Sequence, residues 1–170
     1  MLFVINSFMK LYLVGGAVRD MLLGRKPSDR DFAFHCAPGR EDEFLDYFPE
    51  ATKVGRAFPI YWHKGREYSA LRGKDIGQDL MDRDFSINAL ALEVPLEGQQ
   101  SPPLLHMHPK ALEDLQQRVL RPASDHALRD DPLRVFRSAR FSAQLPDWAV
   151  HPDLAEAMKD IPGAPQVSLH

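Results

Sequence analysis

LVGGAVRDMLLGRKPSDRDFAF, residues 13–34, joins a glycine turn to two carboxylates one residue apart. An apolar run at residues 11–14 ends at Gly15-Gly16 and gives way to AVRDMLLG, whose apolar residues recur at helical spacing. Strand, tight glycine turn and helix N-terminus together make a phosphate cradle, because free backbone N–H groups and the positive end of the dipole converge there. Asp29 and Asp31 flank Arg30, and alternation along a strand puts both aspartates on one side. Two such carboxylates are a mount for a divalent metal. Neither half is specific alone: paired glycines mark a positive-φ turn, and an exposed strand end carries two aspartates readily. Arg19, on the first turn of the helix, adds a cation for a triphosphate within the same segment.

The joined segment resembles the class II branch of the polymerase-β nucleotidyltransferase superfamily, which holds the tRNA CCA-adding nucleotidyltransferases and the bacterial poly(A) polymerases. The family signature is close to GGxVRDxLLGxxxxDxD, and residues 15–31 match it position by position. The resemblance implies in-line attack by an RNA 3′-hydroxyl on the α-phosphate of CTP or ATP, with pyrophosphate leaving. It also implies Mg2+ held by Asp29 and Asp31, and a grip on the β- and γ-phosphates by Gly15, Gly16 and Arg19.

Two further stretches extend the resemblance. DRDFSINAL, residues 82–90, is similar to the family's RRDFTINAL, which implies ribose contacts from Arg83, Asp84 and Asn88. The plainer alternative makes Arg83 and Asp84 a surface pair and Asn88 an interruption of a helix face. Asp82 stands where the family has arginine, reversing a charge beside the triphosphate path. DDPLRVFRSARF, residues 130–141, opens with Asp131 as an N-cap before Pro132 at the first helical position. The resemblance to the family's EDxxR adds that Asp131 accepts from, and Arg134 donates to, the incoming base. Asp130 replaces the family's glutamate. Arg134, Arg137 and Arg140 form a basic stripe able to reach the triphosphate or an RNA backbone, with Leu133, Phe136 and Ala139 expected to pack on the other side. Glu67, in REYSALR, is either a third catalytic carboxylate on the adjacent strand or an ordinary neighbour of Arg66 near a turn.

Composition sets outer limits. A chain of 170 residues suffices for one cored domain with a small second lobe. A net charge of -3 gives no global attraction to nucleic acid, so RNA contact must come from local patches. The single cysteine, Cys36, excludes an internal disulfide and fits a reducing, cytoplasmic setting. No apolar run approaches membrane-spanning length. His106 and His108 lack partners at metal-finger spacing, and neither a Cys-His nucleophile pair nor a GxSxG elbow argues for acyl transfer. MLFVINSF, residues 1–8, lacks the basic n-region of a signal peptide. Residues from Met9 onward resemble the start of a family member, so the first eight are an upstream extension or a misassigned start.

The expected fold is α+β: a small mixed β-sheet nucleotidyltransferase head with helices on one side at residues 1–94, a connection at 95–108 and a partial helical neck at 109–170. The family's body and tail domains are absent from that plan. Short strands are expected at 52–54 and 58–62, with a hairpin turn at 63–66 returning through 67–71. Helical character is expected from Asp79, with Asp79 and Asp82 as caps and a run over 85–92, then over 109–120 and 130–145. The short interval between Arg72 and Asp79 resembles CC-adding members. The leading function is template-independent transfer to the tRNA 3′ end. The alternatives are a poly(A) polymerase, a stand-alone nucleotidyltransferase on another acceptor, and an inactive, truncated nucleotide-binding remnant. A separate tRNA-binding partner or a homodimer through an apolar neck surface completes the expectation.

Overall fold

The computed structural model describes residues 9–37, 39–40, 42–56, 59–96, 99–128 and 133–159. Strand β1 (Lys10–Val14) leads through Gly15 into α1 (Gly16–Leu22), and β2 (Asp31–His35) is followed by α2 (Glu43–Tyr47). Three strands come next, β3 (Thr52–Val54), β4 (Ile60–His63) and β5 (Arg66–Ala70), then α3 (Ile76–Met81) and a 3-10 turn at Ser86–Asn88. Strands β6 (Leu90–Val94) and β7 (Leu105–Met107) precede α4 (Ala111–Gln117). A two-stranded ribbon of β8 (Val119–Leu120) and β9 (Ala149–Val150) brackets α5 (Leu133–Gln144), and α6 (Pro152–Lys159) follows.

The main sheet has seven strands in the order β3-β4-β5-β2-β1-β6-β7. Only β2 and β5 run parallel within it; the other neighbours are antiparallel. The mixed α+β class expected from sequence is therefore the observed one. The β4–β5 turn also forms as expected: Lys64 and Gly65 take φ 49 and 71, the doubly positive pair that matches the twist of a tight hairpin.

Alternation sorts the strand residues into two cores. Leu11, Leu13, Phe32, Phe34, Tyr61 and Tyr68 face a large cluster with Ala17 and Val18 of α1, Phe44 of α2, Leu115 of α4 and Leu154 of α6. Tyr12, Val14, Ala33 and Ala91 face the other way, against Leu80 and Ile76 of α3 and Ala123. The expectation of helices on one side is thus corrected, because small Ala33 and Ala91 leave room for α3 to lie on the second face. Among the described residues no helix is long and apolar enough to cross a membrane.

Four local expectations differ from the structure. The run 85–92 is a 3-10 turn and a strand rather than a helix, because LALEV finds ladder partners on β1 and β7 and tertiary pairing overrides local propensity. Asp75, not Asp79 or Asp82, caps α3, its side chain accepting from the Gln78 N–H at 2.9 Å. Part of the connection expected at 95–108 forms β7, pairing Met107 with Leu90. On α5 the expected packing face is not the one that packs. Leu133 and Phe136 are 65% and 55% exposed, whereas Arg134 and Ser138 are buried. Residues 134, 138 and 141 form the packed i, i+4, i+7 row, and Phe141 meets Phe85 edge-on at 5.2 Å.

His108 shows how burial links this fold to pH. Its Nδ1 accepts from the Lys110 N–H at 3.1 Å, and burial pushes the imidazole below the ordinary histidine value of 6.5, against a hydrogen bond from the ring to the Ala123 backbone that acts the other way. The unfolded chain then binds a proton that the folded chain refuses. The contribution of this group is full above that value and is lost as pH falls from it to the lower folded value. His108→Gln is expected to flatten the decline in unfolding free energy between about pH 7 and about pH 5; parallel pH curves for variant and parent would refute it.

Candidate active site

Gly15 ends β1 with φ 72 and ψ -135, a conformation that a side chain would strain. Its N–H donates to the Leu90 carbonyl at 2.9 Å, and its own carbonyl receives the Val18 and Arg19 N–H groups. The chain thereby turns off the sheet directly into α1. Arg19 then reaches across to the second motif, donating through NH1 to Asn88 Oδ1 at 2.8 Å, while Nε and NH2 hold Asp20 Oδ1 at 3.0 and 2.9 Å. Arg83 NH1 lies beside Gly15, 3.5 Å from where a Cβ would stand. Residues 15, 16, 19, 83 and 88, separated in sequence, therefore form one cluster.

Next to it, Asp31 opens β2 and lies directly opposite Glu67 on β5. The following pair, Phe32 and Tyr68, stacks at 4.9 Å and 19° on the opposite face, which fixes the register that sets the two carboxylates side by side. Asp31 and Glu67 line a cleft of about 330 Å³ together with Asp79, Asp82, Arg83, Asp84, Arg134 and Arg137. Acidic and guanidinium groups thus share one space, as a metal–triphosphate site requires.

The guanidinium groups are held in place by specific acceptors. Arg83 donates from Nε and NH2 to Asp79 Oδ2 at 3.1 and 2.9 Å, and Asp79 Oδ1 accepts the Arg72 N–H at 3.0 Å. Arg137 Nε stands 3.2 Å from Asp84 Oδ2. Arg134 is buried, with NH1 on the Ala127 carbonyl and NH2 on the Asp82 carbonyl, both at 2.8 Å. Burial of this charge is compensated by oriented carbonyl acceptors.

Other sequence expectations are placed less centrally. Asp29 precedes β2 in irregular chain, exposed, with Ser28 Oγ donating to it at 3.4 Å, and it does not line the cleft. The strand alternation that was to align it with Asp31 is corrected for a plain reason. Val14 pairs with Asp31 before the chain turns away at Gly15, and on the other side β5 begins at Arg66, one residue before Glu67, so neither neighbouring strand reaches Asp29. No group of three His, Cys, Asp or Glu among the described residues is gathered closely enough to hold a metal. The donors present are hard carboxylate oxygens, which suit Mg2+, an ion that takes one or two carboxylates and completes its shell with water and phosphate oxygens. Asp131 lies outside the described residues. Arg140 is exposed, its guanidinium 5.6 Å from the Phe141 ring centre, and does not line the cleft.

Sequence reading missed the residues that support this site. Asp79 was seen only as a cap, although its i, i+4 spacing to Arg83 at a helix end was the available signal. Asp114, fully buried, accepts from Ser86 Oγ at 2.6 Å and from Arg121 Nε at 3.0 Å. Arg121 in turn contacts His151 Nε2 at 2.7 Å. The backbone closes the same connection: the Ser86 N–H donates to the Arg121 carbonyl and the Ala123 N–H to the Asp84 carbonyl. These residues bring together α4, the segment after β8 and the 82–88 turn, and nothing in their spacing announced it.

Residues 11–66 match the model of the poly A polymerase head domain. A multifunctional CCA protein of Verminephrobacter eiseniae is 36% identical over 173 residues, covering 90% of this chain and 40% of that protein. A CCA-adding enzyme of Coxiella burnetii is also 36% identical, covering 90% and 43%. Among solved structures, the Thermotoga maritima CCA-adding enzyme complexed with tRNA superposes with a TM-score of 0.68 at 28% identity, over 89% of this chain and 38% of that one. A tRNA nucleotidyltransferase complexed with a primer tRNA and an incoming ATP analogue gives 0.65 at 26%, over 89% and 47%. The chain spans about two fifths of the length of the curated relatives it matches. On the matched head domain and these relatives, the chain belongs to the tRNA nucleotidyltransferase and poly(A) polymerase family.

Proposed function

We propose that this chain carries the catalytic head for template-independent transfer of a nucleotide from CTP or ATP to the 3′ end of tRNA, with release of pyrophosphate, in the cytoplasm. The observation that carries the reading is the in-register pair Asp31 and Glu67 on the wall of a cleft that also holds Arg83, anchored on Asp79. The relatives' complexes with tRNA and an ATP analogue support the choice of substrates.

In this reading Asp31 would hold Mg2+ together with Asp29, which would reach it from the exposed chain before β2, and Glu67 would be the third carboxylate beside them. When bound, the ion supplies charge neutralisation at the phosphates and a more acidic hydroxyl. Asp31 and Glu67 orient the RNA 3′-hydroxyl toward the α-phosphate. Arg83, Arg19 and the Gly15-Gly16 turn hold the triphosphate in line. Arg83, Asp84 and Asn88 contact the ribose, and Asp131 with Arg134 reads the base. Because the guanidinium groups are already anchored, little reorganisation accompanies the transfer.

Between Arg72 and α3 the chain forms only a tight link capped by Asp75, which favours C over A addition. Given tRNA lacking its 3′ end, the chain is expected to incorporate labelled CTP in a metal-dependent way and to incorporate labelled ATP less. Absence of incorporation despite nucleotide binding would overturn the reading, and equal use of ATP would overturn the preference.

A further inference from the structure

The register of the sheet sets one residue beside the carboxylates that neither the motifs nor the cleft include. Thr52 pairs with Trp62, Trp62 with Glu67, Glu67 with Asp31, and Asp31 with Val14. Directly opposed residues share a face, so these five form a single row across β3, β4, β5, β2 and β1. The adjacent row, Tyr61, Tyr68 and Phe32, points into the core and is buried. Trp62 is instead 46% exposed, and among the described residues its indole has no ring partner. Two strand spacings separate it from Asp31, about 10 Å, with Glu67 between them. The hairpin tip beside it carries the exposed Lys64, whereas Arg66 pairs with His63 and lies over the Phe32 ring on the other face.

An exposed indole with a basic side chain beside it is a combination that binds single-stranded nucleic acid: the ring takes a base face regardless of sequence, and the cation meets the backbone. A carboxylate row alone repels an RNA end. An indole in that row gives the same end a neutral contact that fixes its distance from Asp31. We infer that Trp62 is the stacking platform for the base at the 3′ terminus of the RNA acceptor, seating its 3′-hydroxyl at the Asp31–Glu67 pair. This inference rests on the transfer reading above and adds the acceptor's place within it.

The test compares the parent chain, Trp62→Ala and Trp62→Phe on two RNA acceptors, one with a normal and one with an abasic 3′-terminal nucleotide. The abasic end keeps the hydroxyl and removes only the stacking surface. For the parent, the abasic acceptor is expected to raise the KM for RNA about tenfold. Trp62→Ala should raise it about tenfold on the normal acceptor, with no further penalty from the abasic end and an unchanged KM for CTP. Trp62→Phe should retain most of the parent's behaviour. Additive penalties from the two changes, a shift confined to the KM for CTP, or a Trp62→Ala variant that behaves as the parent would each overturn the platform. A parent chain that extends neither RNA would instead sink the transfer reading, and the platform with it.

Discussion

Asp31→Ala removes nucleotide incorporation, with an expected loss of at least about a thousandfold, the scale seen when a preorganised charge-stabilising group is deleted. The side chain is exposed and opens its strand, so its deletion leaves no cavity. The backbone beneath it is held by pairing to both Val14 and Glu67 and by the Phe32–Tyr68 stack. Stability should therefore move by less than about 0.5 kcal/mol, as for a surface substitution. Binding of CTP without metal should survive, because Gly15, Gly16, Arg19 and Arg83 are untouched. Adding Asp29→Ala should cause little further loss, since groups acting as one unit are not additive. The measurement is single-turnover incorporation with thermal unfolding in parallel. Turnover in the double variant within tenfold of the parent would refute the assignment of these carboxylates.

The sequence was most legible where function constrains local chemistry. The glycine turn and the Lys64-Gly65 hairpin each depend on a few neighbouring residues, and each forms as read. What failed depends on contacts distant in the chain. LALEV reads as a helix until β1 and β7 offer ladders on both sides. Leu133 and Phe136 look like a packing face until Arg134 finds the carbonyls of Ala127 and Asp82, the second of them 52 residues earlier in the chain. Asp29 illustrates the boundary between the two cases. Its spacing to Asp31 is local, yet its placement depends on where the partner strand stops. Trp62 was invisible for the same reason, because no spacing rule joins residue 62 to residue 31 without the intervening register.

Asp114→Ala should be strongly destabilising, by about 3 kcal/mol, the lower end for a broken buried pair, because it takes a fully buried carboxylate away from the half-buried Arg121 guanidinium and the buried Ser86 hydroxyl. Arg121 has Nε against both Asp114 oxygens at 3.0 Å, and Ser86 Oγ donates to the same carboxylate at 2.6 Å. Loss of the carboxylate leaves two donors without that acceptor. Replacing both charges by apolar residues of similar size, Asp114→Leu with Arg121→Met, should recover much of the loss, since a buried pair often contributes little net stability over a well-packed apolar one. Urea unfolding of the three proteins measures this directly. A destabilisation by Asp114→Ala below about 1 kcal/mol, the worth of an ordinary hydrogen bond, would show that the Asp114 carboxylate is not buried in solution. The network also meets the site at Ser86, whose N–H donates to the Arg121 carbonyl, and at Asp84, whose carbonyl accepts from Ala123. The apolar double variant should therefore fold yet retain reduced nucleotide incorporation, because Ser86 Oγ has lost the acceptor that fixes the turn carrying Asp84 and Asn88. Stability and activity recovering together would instead show that the backbone bonds alone hold that turn.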